Sequence, residues 1–82
     1  MKIDESRQIV SKLVFYLKKI RKEQGISHEK LAERSGVSRQ AISKIESGER
    51  IPSILTCLKL AKGLDKSLQQ LLDLAGGKDS NK

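Results

Sequence analysis

Four hydrogen-bonding side chains lie on one side of a short predicted helix near the middle of the chain. They are Arg39, Gln40, Ser43 and Lys44. At about 100° per residue, these side chains lie opposite to Ile42 and Ile45, which form an apolar side. A guanidinium can form two hydrogen bonds with guanine O6 and N7, and a glutamine amide can pair with adenine N6 and N7. The residue types on this side therefore suit hydrogen bonding to the edges of DNA bases.

The helix that carries this polar side is the second of a predicted pair, in the segment LAERSGVSRQAISKIESG at positions 31–48. Ser27 and Ser38 are favourable N-caps for helices predicted over about 28–35 and 39–47. Between these helices, Gly36 can adopt the left-handed conformation of a tight turn without a Cβ penalty. The residues expected to face inward and fix the angle of the pair are Leu31, Ala32, Val37, Ile42 and Ile45.

Three further helices are predicted around this pair. Helix one, from about residue 6 to a stop at Gly25, buries an apolar stripe that consists of Val10, Leu13, Val14, Leu17 and Ile20. Residues 1–5 are expected to fray. Phe15 lies roughly opposite that stripe, where it is either a scattered surface residue or a contact to a partner subunit.

Helix four follows the cap Ser53, and helix five starts at Asp65 or Ser67. The expected buried stripe of helix four is Ile54, Leu55, Leu58 and Ala61, with Cys57 beside it as a small, inert apolar residue. Helix five carries Leu68, Leu71, Leu72 and Ala75. The predicted fold is therefore all-α, with five helices in one domain at 1–75 and a disordered polar tail at 76–82.

The composition narrows the possible partners and cofactors. With 17 Lys and Arg against 10 Asp and Glu, the 82-residue chain has a net charge of +7. This charge favours an anionic partner, with nucleic acid before a membrane surface. The single cysteine leaves no disulfide and no cysteine cluster for zinc, so no metal or other cofactor is expected. Without a membrane-length apolar run or a signal-peptide core, the chain is expected to be soluble and cytoplasmic.

Two functional classes are disfavoured by the residues present. One histidine, one cysteine and no glycine-rich phosphate loop make an enzyme the weakest interpretation. Phe15 and Tyr16 are the only aromatic residues, which leaves almost no material for the stacking platforms that bind single-stranded nucleic acid.

The chain resembles the Cro and lambda-repressor type helix-turn-helix regulators, often called XRE-like, over about residues 13–72. The resemblance rests on Arg21, on the segment at 31–48, on ERIPS at 49–53 and on the leucine-rich last helix. The family pattern of a small residue, a glycine and four apolar residues is matched at Ala32, Gly36, Leu31, Val37, Ile42 and Ile45. Ser35 departs from the pattern, because this position is commonly apolar. The resemblance implies a compact, five-helix, lambda-repressor-like DNA-binding domain.

The resemblance also implies roles on DNA. The third helix would lie in the major groove, with Arg39, Gln40, Ser43 and Lys44 reading base edges. Phosphate contacts are expected from Ser27, His28, Ser38, Ser47 and Arg50, in part because a helix N-terminus attracts anions. Arg21 and Glu46 are expected to form an internal ion pair between helices one and three. His28 stands where the family most often has glutamine, which puts a glutamine-style brace to helix three in doubt.

Because one monomer reads only a few base pairs, such proteins generally bind as dimers to paired half-sites. The fifth helix carries more leucine than an inward side requires. A two-fold interface is therefore predicted from Leu68, Leu71, Leu72 and Leu74, together with Phe15. The alternative for these leucines is a stripe that serves only the core.

The predicted function is that of a homodimeric, sequence-specific regulator of transcription that binds a double-stranded DNA operator. No membrane partner and no small-molecule effector are expected, and RNA polymerase is a candidate partner to which no residue is assigned. Controller proteins of restriction-modification systems have this single-domain form, and prophage regulators share it. An antitoxin or other protein-interaction module, whose main partner is a protein, is the alternative within the same fold.

Overall fold

A computed structural model describes residues 3–76, which form five helices: α1 Ile3–Glu23, α2 His28–Ser35, α3 Arg39–Ser47, α4 Ile54–Gly63 and α5 Leu68–Gly76. No strand occurs among these residues. The predicted all-α, five-helix fold is confirmed. The predicted fraying of residues 1–2 and disorder of 77–82 lie outside the described residues, whereas Gly76 is the last residue of α5 and not part of a disordered tail.

The first helix begins at Ile3 and not near residue 6. Asp4 and Glu5 occupy its first turn, where negative charge interacts favourably with the free N–H groups of the helix and with its dipole. Arg21 and Lys22 in the last turn complement the opposite end. The prediction that residues 3–5 fray is wrong. It rested on the polar character of this segment and did not take into account that acidic residues stabilise the first turn of a helix.

The helices α2 and α3 begin and end where their caps predict. Ser27 Oγ accepts a hydrogen bond from Lys30 N at 3.0 Å, and Ser38 Oγ accepts one from Ala41 N at 3.1 Å. Gly36 ends α2 with φ at 79°, the left-handed conformation that favours glycine. These contacts fix the turn between the two helices and hence their relative direction.

One core holds the five helices together. α1 packs against α5 and α3, and α2 packs against α3 and α4. The largest fully buried side chains are Leu31, Ile42, Leu60, Leu64 and Leu71. The inward-facing residues predicted for the α2–α3 pair lie in this core or, for Ala32, pack against it half-buried.

The buried side of α4 differs from the prediction. Cys57, Leu60 and Ala61 are buried, whereas three of the four residues expected in the stripe, Ile54, Leu55 and Leu58, are exposed. Close packing of α4 against α2 selects this side, because a Cβ added at Gly63 would lie 2.9 Å from Leu31 Cδ1. The predicted stripe is therefore wrong except at Ala61.

Between residues 3 and 76, no helix combines the length and the apolar character that a membrane crossing requires.

Candidate nucleic-acid interface

The helix α3 has a buried side and a polar, exposed side. Ile42 and Ile45 are 1% and 2% exposed and anchor the helix to the core. The four residues predicted to read bases are all exposed on the other side, namely Arg39, Gln40, Ser43 and Lys44. Because the apolar side is fixed in a packed core, the orientation of the polar side is fixed as well.

The same four side chains line one shallow depression, and two further residues complete its wall: His28 from the start of α2 and Glu49 from the loop after α3. Within the described part of the chain, Arg39 and Lys44 form no ion pair. Two cations that form no ion pair there thus lie beside two neutral hydrogen-bonding groups. This combination suits a ligand that offers both anionic groups and hydrogen-bonding edges, as duplex DNA does.

Glu49 also lies on this surface, although the sequence did not predict a role for it there. Its backbone N–H donates a hydrogen bond to Lys44 O at 2.9 Å, which returns the chain over the last turn of α3. The signal was Gly48, which ends α3 with φ at 87°, because a left-handed residue at this point folds the following residue back towards the helix. A carboxylate can accept a hydrogen bond from cytosine N4 but repels phosphate.

Beneath this surface, Arg21 and Glu46 form a two-point ion pair that joins α1 to α3. Arg21 Nε donates to Glu46 Oε2 at 2.8 Å, and Arg21 Nη2 donates to Glu46 Oε1 at 3.0 Å. A third bond runs from Arg21 Nη1 to the carbonyl oxygen of Ile26 at 2.8 Å. The side chains of Arg21 and Glu46 retain 10% and 7% of their exposure. The pair expected from the family resemblance is thus an internal support and lies away from the exposed side of α3.

His28 extends this cluster to α2. Its Nε2 lies 2.9 Å from Glu46 Oε1, so a brace between α2 and α3 exists although histidine replaces glutamine. With the hydrogen on Nε2, the ring donates to the carboxylate, and Nδ1 can then donate to a phosphate only when the ring carries both hydrogens. The structure therefore assigns His28 a supporting contact, and its phosphate contact stays a prediction.

The electrostatics of the cluster centre on Glu46. Burial by itself raises the pKa of this carboxyl, but hydrogen bonds from Arg21 and His28 and the Arg21 charge lower it by more, so the pKa lies below its ordinary value of 4.5. Glu46 therefore remains ionised, and α3 remains tied to both α1 and α2, at neutral pH.

The remaining predicted phosphate contacts differ in what their side chains already do. As N-caps, Ser27 and Ser38 each accept a hydrogen bond from a backbone N–H group. The hydroxyl hydrogen of each serine is then available to donate to a phosphate. Ser47 Oγ donates its hydrogen to Lys44 O at 3.0 Å, so its hydroxyl is occupied. Arg50 is exposed. The phosphate contacts of these four residues stay predictions.

The fifth helix does not present the leucine surface that the sequence predicts for a dimer. Leu71 is 0% exposed and belongs to the core, so its predicted place in an interface is wrong. Leu68 is half-buried against the same core. Leu72 and Leu74 are exposed, but two positions apart on a helix they lie about 200° from one another. These leucines do not form one outward side, whereas Phe15 on α1 is exposed.

Groups of three or more histidine, cysteine, aspartate or glutamate side chains placed to hold a metal ion do not occur in residues 3–76.

The fold and the exposed side of α3 define a helix-turn-helix domain. The family model described as helix-turn-helix matches residues 17–71. The chain belongs to this family, the XRE-type helix-turn-helix regulators. This is a family of DNA-binding transcriptional regulators and not a class of enzymes.

Curated relatives carry matching descriptions. The chain is 38% identical over 55 residues to the uncharacterized HTH-type transcriptional regulator YgzD of Bacillus subtilis. The matched residues make up 67% of this chain and 83% of that relative. This chain is 37% identical over 54 residues to the uncharacterized HTH-type regulator y4dJ of Sinorhizobium fredii, covering 66% and 70% of the two chains. A putative HTH-type regulatory protein of Methanocaldococcus jannaschii, MJ1164, is 47% identical over 58 residues, 71% of this chain but 18% of that longer protein. No solved structure matches the chain significantly.

Proposed function

We propose that the chain is a sequence-specific regulator of transcription that binds duplex DNA as a dimer, with α3 in the major groove of each half-site. Arg39 and Gln40, at the N-terminal end of α3, read base edges, and Ser43 and Lys44 extend the contact by one turn. Ser27, Ser38 and Arg50 contact phosphates on either side. Ser47 and His28 are weaker donors, because both already hold partners within the chain.

The observation that carries this proposal is the division of α3 into a buried apolar side and an exposed hydrogen-bonding side. Exposed polar helices are common, but here the ion pair of Arg21 with Glu46 and the contact of His28 with Glu46 hold α3 to two neighbouring helices. A helix braced in this way presents its side chains at one fixed angle. Such pre-organisation serves recognition of a ligand with a fixed geometry, because less ordering is required on binding.

Pairing of two copies follows from the size of the footprint. One α3 helix contacts only a few base pairs, whereas half-sites one turn apart lie about 34–36 Å from centre to centre. One copy measures 37 × 22 × 19 Å. Two copies side by side therefore have the dimensions needed to reach two successive major grooves on one face of DNA.

Footprinting on the DNA upstream of the protein's own gene, with quantitative binding at several salt concentrations, tests the proposal. We expect a protected inverted repeat, and log K falling against log[salt] with a slope of about −0.9 for each phosphate neutralised. A matched duplex of the same composition in scrambled order is the control. No protection at any concentration, together with a flat salt response, would contradict DNA binding as the function.

An antitoxin or another protein-interaction module is a second candidate, because four large apolar side chains are exposed on and just before α4. In that case a partner protein would cover these residues, and DNA binding would be secondary. A toxin gene next to this gene would favour the second candidate, and an adjacent methyltransferase or endonuclease gene would favour a restriction-modification controller.

A further inference from the structure

The α3–α4 loop and the outer side of α4 carry four exposed branched aliphatic side chains. Ile51, Ile54, Leu55 and Leu58 are 68%, 70%, 59% and 46% exposed. We call these four residues the α4 patch. At about 100° per residue, Ile54, Leu55 and Leu58 lie on one side of α4. Ile51 lies in the loop, three residues before Ile54. Surface apolar residues are unremarkable one at a time, but a contiguous group of this size on a small protein marks an interaction site.

The α4 patch continues across a groove towards α1. Ile51 and Pro52 line one wall of this groove, and Val14 and Phe15 line the other. Phe15 is itself 58% exposed and stacks edge-to-face on Tyr16, with 5.2 Å between ring centroids. The exposed apolar surface therefore extends from α1 over the loop to α4, beside the end of α3.

We infer that the α4 patch, with Phe15 at its edge, is the surface on which two copies of this chain pair. The inference rests on the proposed function, because it names the partner surface of the proposed dimer. The α4 patch takes the place of the interface predicted on α5, because Leu71, one of the residues predicted for that interface, is buried in the core.

A second copy is the occupant that matches the apolar character of this surface. In a two-fold interface the same patch lies on both sides, and an aliphatic patch is complementary to itself. Each patch is of the few-hundred-Å² class, so two patches and their polar rims approach the roughly 1,200 Å² that a small stable interface buries. A single core of this size is also marginal by itself, and burying a second apolar surface adds stability.

The charges around the patch make the choice of partner testable. Arg50, Lys59 and Lys62 are exposed near it, and each copy carries a net charge of +7. Like-charged copies repel one another, and salt screens this repulsion over a Debye length of about 8 Å at physiological ionic strength. Self-association through the patch should therefore strengthen as salt is added, whereas binding to an acidic protein, or to DNA, should weaken.

The position of the patch also suits DNA binding by the pair. Ile51 follows the end of α3 at Ser47 after three intervening residues. A two-fold axis through this region would fix the direction of one α3 helix relative to the other. The spacing of half-sites would then be set by the residues of the patch.

Two leucines with nearly the same exposure provide the test. Leu58, in the patch, is 46% exposed, and Leu74, on α5, is 48% exposed. Each is replaced by glutamate, folding is checked by circular dichroism, and the dissociation constant of the dimer is measured by sedimentation at 0.05 and 0.5 M NaCl without DNA. We expect a wild-type dimer that tightens with salt, at least a tenfold weaker dimer for Leu58→Glu, and a dimer unchanged within about twofold for Leu74→Glu.

A cross-linking measurement covers the case in which Leu58→Glu does not fold. The only native cysteine, Cys57, is 3% exposed, so a cysteine introduced at the surface is the main reactive thiol. Leu55→Cys should form a covalent dimer on mild oxidation, and Leu74→Cys should not. A wild-type monomer at millimolar concentration, or dissociation by Leu74→Glu and not by Leu58→Glu, would overturn the inference.

The proposed function fails in a different way. A wild-type dimer that responds to Leu58→Glu but binds no DNA would overturn DNA binding and support the pairing surface. A protein that protects an operator but dissociates only with Leu74→Glu would overturn the pairing surface and support DNA binding.

Discussion

Arg21 and Glu46 are joined by two hydrogen bonds, of 2.8 and 3.0 Å, across 25 positions of the sequence. The pair holds the last turn of α1 against α3, and His28 adds a contact from α2 to the same carboxylate. Three of the five helices thus meet at Glu46, directly beneath the exposed side of α3. In addition to its packing in the core, the proposed recognition helix is therefore tied to two neighbouring helices through one carboxylate.

Replacing Glu46 by glutamine should lower the free energy of unfolding by about 3 kcal/mol. The variant leaves the Arg21 guanidinium almost buried without its counter-charge, which is more costly than losing an exposed pair. Glu23→Gln is the matched control, because Glu23 lies in a surface pair with Lys19 at 3.9 Å, where the expected loss is below about 1 kcal/mol. Urea unfolding of both variants measures the difference, and equal losses would show that the internal pair contributes no more than a surface pair.

The lowered pKa of Glu46 also predicts how stability depends on pH. Because the pKa is lower in the folded than in the unfolded chain, the ionised carboxylate stabilises the fold above pH 4.5, and this contribution is lost as the pH falls through the folded pKa. Glu46→Gln lacks that contribution. The difference in unfolding free energy between wild type and Glu46→Gln should therefore be largest at neutral pH and shrink below pH 4.5. A difference that grows on acidification would contradict this sign.

His28 should be replaceable by glutamine but not by alanine. A glutamine amide can donate a hydrogen bond to Glu46 as the imidazole does, whereas alanine removes the tie between α2 and α3 and should lower the unfolding free energy by about 1 kcal/mol. DNA affinity measured at fixed salt should follow the same order, with His28→Gln close to wild type. If His28→Gln and His28→Ala lower the free energy of unfolding equally, the hydrogen bond to Glu46 is not the contribution of His28 to stability.

Gly63 should not tolerate alanine, although alanine favours helices. A Cβ there would lie 2.9 Å from Leu31 Cδ1 and 3.0 Å from Ser35 Cβ, and such overpacking costs about 1–3 kcal/mol. Gly76 is the matched control, because it also ends a helix and its added Cβ would meet nothing within 4 Å. Thermal melting of Gly63→Ala and Gly76→Ala compares them, and a stabilised Gly63→Ala would show that α2 and α4 separate without loss.

The bounds of α2 and α3 were predicted well from the sequence, because capping residues determine them. Ser27, Gly36 and Ser38 act locally, so the bounds of α2 and α3 follow from the residues themselves. The exposed polar side of α3 was also predictable, because the helical spacing of its apolar and polar residues is a local property of the sequence. Periodicity could not predict contacts between segments that are distant in sequence, such as the contact between His28 and Glu46.

The outer side of α4 shows why the rest could not be predicted. This helix is apolar almost all around, so Ile54, Leu55 and Leu58 satisfy a helical stripe as well as Cys57 and Leu60 do. The buried side is selected by the close contact of α4 with α2 at Gly63. The spacing of apolar residues along α4 does not indicate this tertiary contact. The same ambiguity applies to α5, where the sequence does not distinguish the buried Leu71 from the exposed Leu72.

Arg39 and Lys44 should differ in how they contribute to DNA binding. Arg39→Ala should cost about 1–3 kcal/mol and relax preference at one base position in each half-site. Lys44→Ala is the comparison, because Lys44 is predicted to reach either a guanine or a phosphate. Loss of a phosphate contact would weaken binding to all sequences alike and reduce the salt slope by about one. Binding to a set of single-base operator variants separates the two effects. Uniform weakening by Arg39→Ala would make Arg39 a phosphate contact.

Selection of binding sites from a random duplex library, carried out in parallel with wild type and Arg39→Ala, is the most direct measurement of sequence reading by α3. We expect wild type to enrich an inverted repeat with half-site centres about one helical turn, 10–10.5 base pairs, or a multiple of that apart. The Arg39→Ala selection should keep the repeat and lose preference at one symmetric position. Enrichment of no sequence by wild type, or of the same sequence by both proteins, would contradict base reading by α3.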